Sequence, residues 1–351
     1  MSFLDSPYEP LAQTDFAQLS RLSMNALPAI DTTNRNSMHP TNGTHPSHHP
    51  DRPASALPKV GETRCYWSLL SPDLRFLYID PVLASHLAEE AEALIGKSLL
   101  SYVHPDEQAS AEHDLGSVLE SRTLHGSVTR VRYSRLSRVR RLLGYQGPPE
   151  PWVDAAKIAV DANYMAVDIV INWAADGLVL CFIHAVVDLH ERDNDEDNKT
   201  DWTNWCGTPH MSVDQVQLLY SQLVDKVAQP PSMGRVFQIL LNHADKPLWM
   251  SWPPDPPQGQ EPSSKNFARL AEDVQIGGSA ASGTDAKTSC TRRYKALQTM
   301  RLQDDSSQEV ESIFIPYGQL APIDHFSLTR LTEPHICRFH RLCMPPREFL
   351  L

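Results

Sequence analysis

The stretch Leu94-Ile-Gly-Lys-Ser-Leu-Leu-Ser-Tyr-Val-His-Pro-Asp-Glu107 joins an apolar run, a glycine turn and a proline-acid helix start. Gly96 stands where a helix commonly ends in a left-handed residue. Pro105 suits a first helical turn, whose N–H has no intrahelical acceptor, and Asp106 and Glu107 complement the positive end of the helix that follows. On that helix Ala111, Leu115, Val118 and Leu119 share one stripe at 3.6 residues per turn, and His113 points the other way.

Upstream, Cys65–Leu70 and Arg75–Asp80 read as two aromatic-rich strands joined by a tight turn at Ser71-Pro-Asp73. Pro81 closes the second, and short helical pieces span Val82–Ala88 and Glu89–Ile95. Downstream, Gly126–Tyr133, Tyr164–Trp173 and Leu178–Val187 read as three long strands, the last two joined through Asp176-Gly177. Val170 and Phe182 are expected to be buried in this sheet.

Two strands, short helices, one longer helix and three strands, with Leu94–Glu107 in the middle, resemble a PAS sensor domain over about residues 62–190. The resemblance implies an α+β fold with a five-stranded antiparallel sheet, used for sensing or for pairing with another protein and rarely for catalysis. A cavity between sheet and helices would be lined by Trp67, Phe76, Tyr78, Leu87, Tyr102, Ile171 and Phe182, although the same residues can simply fill a core.

The rest of the chain divides by composition. Residues 1–61, with His39, His45, His48 and His49 in a polar tract, lack the apolar surface to offset ordering entropy and read as a disordered arm. Residues 191–211 form an acidic linker. Residues 212–229 form an amphipathic helix opened by a Ser212/Gln215 capping box, with Val213, Val216, Tyr220, Leu223, Val224 and Val227 on its stripe. Such a helix either dimerises or packs back on the sheet, and the lack of heptads favours packing.

Phe237–Pro254 repeats the strand, turn and proline-closed strand of Trp67–Pro81, and Thr291–Leu302 and Val310–Leu320 imitate the later strands. Residues 233–320 therefore read either as a second, degenerate PAS-like unit with a disordered insert at 253–290, or as a linker holding isolated strands. No final strand is evident, and 321–351 reads as an irregular tail.

The chemistry carried by this pattern is sparse. A net charge of −12 argues against general binding of nucleic acid or acidic membranes. The six cysteines are scattered and the amino terminus lacks a signal-peptide pattern, which points to a reducing, intracellular setting, nucleus or cytoplasm. No apolar run approaches a membrane span, so a soluble protein is expected. The tail has His335, Cys337, His340 and Cys343 in a spacing that fits no familiar zinc site, so no metal is expected.

The six arginines between Arg130 and Arg141 read as a nucleic-acid or import patch, a docking face, or a partner for the acidic linker; a solvated or docking face is favoured. Nothing matches the reactive-cysteine motif of flavin-binding PAS members. His113, at the position from which haem-binding members take a ligand, falls on the polar face, and His104 reads as part of the turn. Neither haem nor flavin is expected.

No phosphate-cradling loop, nucleophile elbow or metalloprotease motif is present, so no enzyme activity is expected. The layout is similar to fungal white collar type PAS regulators, without their zinc finger. That implies a protein–protein interaction or signal-sensing role in transcription, with another PAS chain or a second copy as partner and no direct DNA binding. The alternative is a small-molecule or haem sensor.

Overall fold

The computed structural model describes residues 65–148, 159–186, 211–241, 247–257, 262–274, 293–317 and 324–331. The amino-terminal arm, the acidic linker and the tail beyond 331 lie outside them.

The first sheet comprises β1 (Cys65–Leu70), β2 (Phe76–Ile79), β3 (Ser127–Ser134), β4 (Tyr164–Ala175) and β5 (Leu178–Ala185). They are antiparallel in the order β2-β1-β5-β4-β3, that of a PAS fold. Between β2 and β3 run α1 (Pro81–Leu87), α2 (Ala91–Leu94) and α3 (Gln108–Ser121). Asp80 starts this excursion: one carboxylate oxygen accepts the N–H groups of Val82 and Leu83 at 2.9 and 3.1 Å, and the other accepts that of Trp67 at 3.1 Å. One buried side chain thus caps α1 and ties it to β1.

The segment that suggested the fold behaves as its residues require. Gly96 has φ +80° with open space around it, so backbone conformation alone calls for glycine, and its N–H donates to Phe76 O at 2.8 Å. Pro105–Glu107 forms a 3-10 turn that leads into α3. The His104 ring caps this turn by accepting Asp106 N–H at Nδ1 (3.3 Å) and lies 4.6 Å from the Tyr164 ring. Ala111, Leu115 and Val118 are buried and His113 is exposed, as the helical stripe implied.

Residues 233–320 were expected to lack a final strand, and this expectation is corrected. Strands β6 (Arg235–Leu240), β7 (Leu248–Trp252), β8 (Tyr294–Arg301), β9 (Ser307–Tyr317) and β10 (Asp324–Leu331) form a second sheet in the order β7-β6-β10-β9-β8, the same topology. Strand β10 falls in the supposed tail. Its alternation is blurred because Thr329 is buried and meets Ser312 through their hydroxyls at 3.3 Å. The supposed disordered insert contains the helix α6 (Ser264–Glu272), which buries Phe267 and Ala271 and is anchored by Ser264 Oγ donating to Asp255 at 2.9 Å.

The two sheets pack back to back. In the first, Tyr66 opposite Ile183 belongs to the helix-side core, whereas the next pair, Trp67 opposite Phe182, faces away with Val170 and Leu180. In the second, Val236, Leu240, Val310 and Phe314 belong to the clusters that pack with α6, leaving Phe237, Ile239, Ile313 and Leu328 on the other face. Strand β4 contacts β6 and β10, and these outward side chains are at most 2 % exposed. Burial of this extent is the main stabilising term.

The amphipathic helix, α5 (Val213–Lys226), packs on β2 and β7, as its lack of heptads implied. Its capping box is present. Its buried stripe is Val216, Leu219 and Leu223, and Val224, placed there from sequence, is exposed.

Candidate functional site

The helix α4 (Leu136–Leu143), concealed in the arginine run, lies between β3 and β4 in sequence. Its apolar residues Leu136 and Val139 help enclose a cavity of about 50 Å³. The remaining wall comes from Tyr66 and Phe76 of the first two strands, Leu83 and Leu94 of α1 and α2, and the ends of the long strands at Tyr133, Ser134, Met165, Val167, Ile183 and Ala185.

Of the seven residues assigned from sequence, Phe76 alone lines this space. Leu87, Tyr102 and Ile171 belong to the same helix-side core but are packed within it. Trp67, Tyr78 and Phe182 lie on the opposite face, which corrects their expected place. For Tyr78 the reason is a β-bulge: Leu70 pairs with Phe76 and Leu69 with Tyr78, so an extra residue, Leu77, reverses the side on which Tyr78 emerges. Tyr78 accordingly stacks near Trp67, ring centres 5.2 Å apart, and Trp67 opposes Phe182 across the β1/β5 ladder.

The arginine run is solvated at Arg130 and Arg141, as expected, but several of its side chains have partners within the fold. Arg130 binds Asp168 through two N–H groups at 2.9 and 3.1 Å, and Arg132 binds Glu107 at 2.6 Å. Arg140 meets Glu90 at 2.9 Å with side chains 8 % and 12 % exposed, and its guanidinium lies 3.8 Å from the centre of the Tyr145 ring. Arg138 lies over Tyr164 at 5.0 Å. These groups brace the first unit itself. The alternation of β3 was legible, but the helix after it was hidden because the arginines dominate its composition.

Two phenols and one thiol of the interior are held neutral. Burial pushes the Tyr102 phenol up to about 12 and raises Tyr133 well above the usual phenol range. It also pushes the Cys181 thiol up to about 12, so this buried sulfur is not a thiolate nucleophile at neutral pH. Cys65 and Cys181 sit in strands and neither lines the cavity.

Sites for bulky cofactors occupy roughly 300 Å³ or more. The cavity offers about 50 Å³ and has no thiol or imidazole in its wall, so the residues present do not fit a flavin or a haem. Among the described residues no group of three or more His, Cys, Asp or Glu is placed to hold a metal, and no helix is long and apolar enough to cross a membrane. The amino-terminal histidines and the His335–Cys343 group lie outside the described residues.

Comparison with known proteins adds little. No family model and no curated protein matches the chain. Among solved structures it is similar to one described as an RNA-binding Light-Oxygen-Voltage receptor, with 10% identity over 76% of this chain and 92% of the other and a TM-score of 0.23. At that score the likeness carries no weight. The PAS-like fold rests on the strand order repeated in the two sheets.

Proposed function

We propose that the chain is a non-catalytic, tandem-PAS signalling component that works by protein–protein interaction in the control of transcription, in nucleus or cytoplasm. The observation that carries this reading is the repeated PAS-like strand order, built twice over apolar cores. Buried tyrosines and cysteine held neutral, and arginines paired with local acids, support a structural rather than a chemical use of the polar groups. The similarity to white collar type regulators belongs to this proposal and rests on layout alone.

The sheet faces that would dock a partner cover each other, so contact falls to an edge strand. Strand β8 bonds β9 on one side only, and Leu297 on it is 65 % exposed. An unpaired strand edge is a template for an added strand. The partner would be another PAS-containing chain or a second copy.

A second reading, sensing of a small molecule, is favoured by the cavity under α4. The absorption spectrum of the purified full chain and its sedimentation, alone and with a second PAS protein, test the choice. A colourless chain whose association weakens in Leu297→Arg supports the first reading. Stoichiometric flavin or haem absorption would overturn it.

A further inference from the structure

We propose that α4 is a hinged lid over the cavity, latched by Arg140 and Glu90, and that its opening admits a small, neutral, mostly apolar molecule. The lid rests on the second functional reading and supplies its control.

A helix of eight residues is too short to be stable alone, so its position depends on what it packs against. Leu136 and Val139 face inward and form part of the cavity wall, whereas Leu142 is 53 % exposed. One side of this partly open cavity is therefore walled by a helix that belongs to neither the sheet nor the α1–α3 excursion, and moving that helix widens the space without breaking a strand pair.

Asn163 touches both ends of the helix, through its backbone at the start and, near the finish, through its side chain, which accepts from Arg141 Nη2 at 3.3 Å. At the start, Arg135 N–H donates to Asn163 O at 2.8 Å, holding the helix to the approach of β4. At the finish, Gly144 takes φ +116° with open space around it, and the N–H groups of Gly144 and Tyr145 close the last turn on Arg141 O and Arg140 O. A glycine in open space absorbs the dihedral change that a swing requires.

The latch lies across the swing. Arg140 Nε donates to Glu90, in the turn between α1 and α2, at 2.9 Å, and the guanidinium is covered by Tyr145. Closed, the pair is nearly desolvated; open, both charges return to water, so the latch holds the roof through a contact that hydration partly replaces. Tyr66, Tyr133 and Ser134 carry the polar side groups of a wall otherwise made of apolar surface. Such a lining selects a neutral ligand with at most one or two polar atoms.

Amide hydrogen exchange on the full chain tests the lid, and xenon tests the space beneath it through the Met165 methyl signal. In the wild type, amides of Leu136–Leu143 should exchange through an opening separate from global unfolding. In Glu90→Gln they should exchange roughly tenfold faster or more, with β4 and β5 unchanged. Xenon should shift the Met165 methyl, with faster uptake in the variant. Tyr145→Leu, which removes the stacked ring and keeps both charges, is the second variant should Glu90→Gln not fold.

Exchange of α4 only with global unfolding, or equal rates in wild type and variants, overturns the lid whether or not xenon enters. An opening lid with no xenon response at Met165 overturns the ligand and with it the second functional reading.

Discussion

Asn172, fully buried on the outward face of β4, accepts a hydrogen bond from Arg293 at the start of β8, Nη2 to Oδ1 at 3.2 Å, and donates through Nδ2 to Leu124 O at 2.6 Å. One amide thus ties the second unit to the loop that precedes β3. Beside it, Glu311 of β9 receives Lys295 at 2.8 Å and stands 3.3 Å from His125. An apolar contact between two sheets is tolerant of sliding; buried polar pairs with fixed geometry select one register.

Gly126 is inseparable from that tie. It takes φ +74°, and a Cβ there would sit 2.5 Å from Asn172 Nδ2 and 2.6 Å from Ile171 O. Gly126→Ala should lower stability by about 2 kcal/mol or more, through strain and displacement of the amide. Urea unfolding checks this; an unchanged midpoint would show that the loop moves freely.

Val128 and Val170 are partners across the β3/β4 ladder, yet one is 56 % exposed and the other 2 %. Val170→Asp should cost several kcal/mol by placing an unpaired charge between the sheets. Val128→Asp should stay within about 0.5 kcal/mol. Comparable melting of the two variants would mean that the sheets do not pack back to back.

Asp80 satisfies three backbone N–H groups from a buried position. Asp80→Ala should destabilise by about 2 kcal/mol or more, because the lost cap leaves buried donors without an acceptor. Asp80→Asn, which keeps one acceptor oxygen, should be milder. Thermal unfolding of the pair decides it; equal losses would assign the effect to charge rather than to the cap.

Glu107 sets a pH dependence. Burial disfavours its ionisation, but the Arg132 N–H, the Arg132 guanidinium and the nearby charges outweigh this and hold the carboxyl below its ordinary value of 4.5. A group whose folded value lies below its unfolded value stabilises fully above the latter and loses that effect as pH falls through the former. The stability difference between wild type and Glu107→Gln should therefore shrink between about pH 6 and about pH 3. A constant difference across that range would remove the carboxylate from the account.

The first unit was legible because its signals are local. Gly96, Pro105 and the Ala111–Leu115–Val118 stripe each state a backbone requirement within a few residues, and all three hold. The candidate site was less so. Phe76 and Tyr78 share a face in any period-two reading, and only pairing with β1, where the extra residue Leu77 is accommodated, puts them on opposite faces.

The sequence by itself determined the strands of the first sheet, the short helices and longer helix between its second and third strands, and the cap at Ser212. These follow from dihedral preference and periodicity, which neighbouring residues carry. Only the tertiary structure decided that β10 completes the second sheet, that the two sheet faces bury each other, and that an arginine-rich segment folds into a helix over a cavity. Each of these depends on partners distant in the chain: Thr329 is tolerated in a core because Ser312 answers it, and Arg140 because Glu90 does.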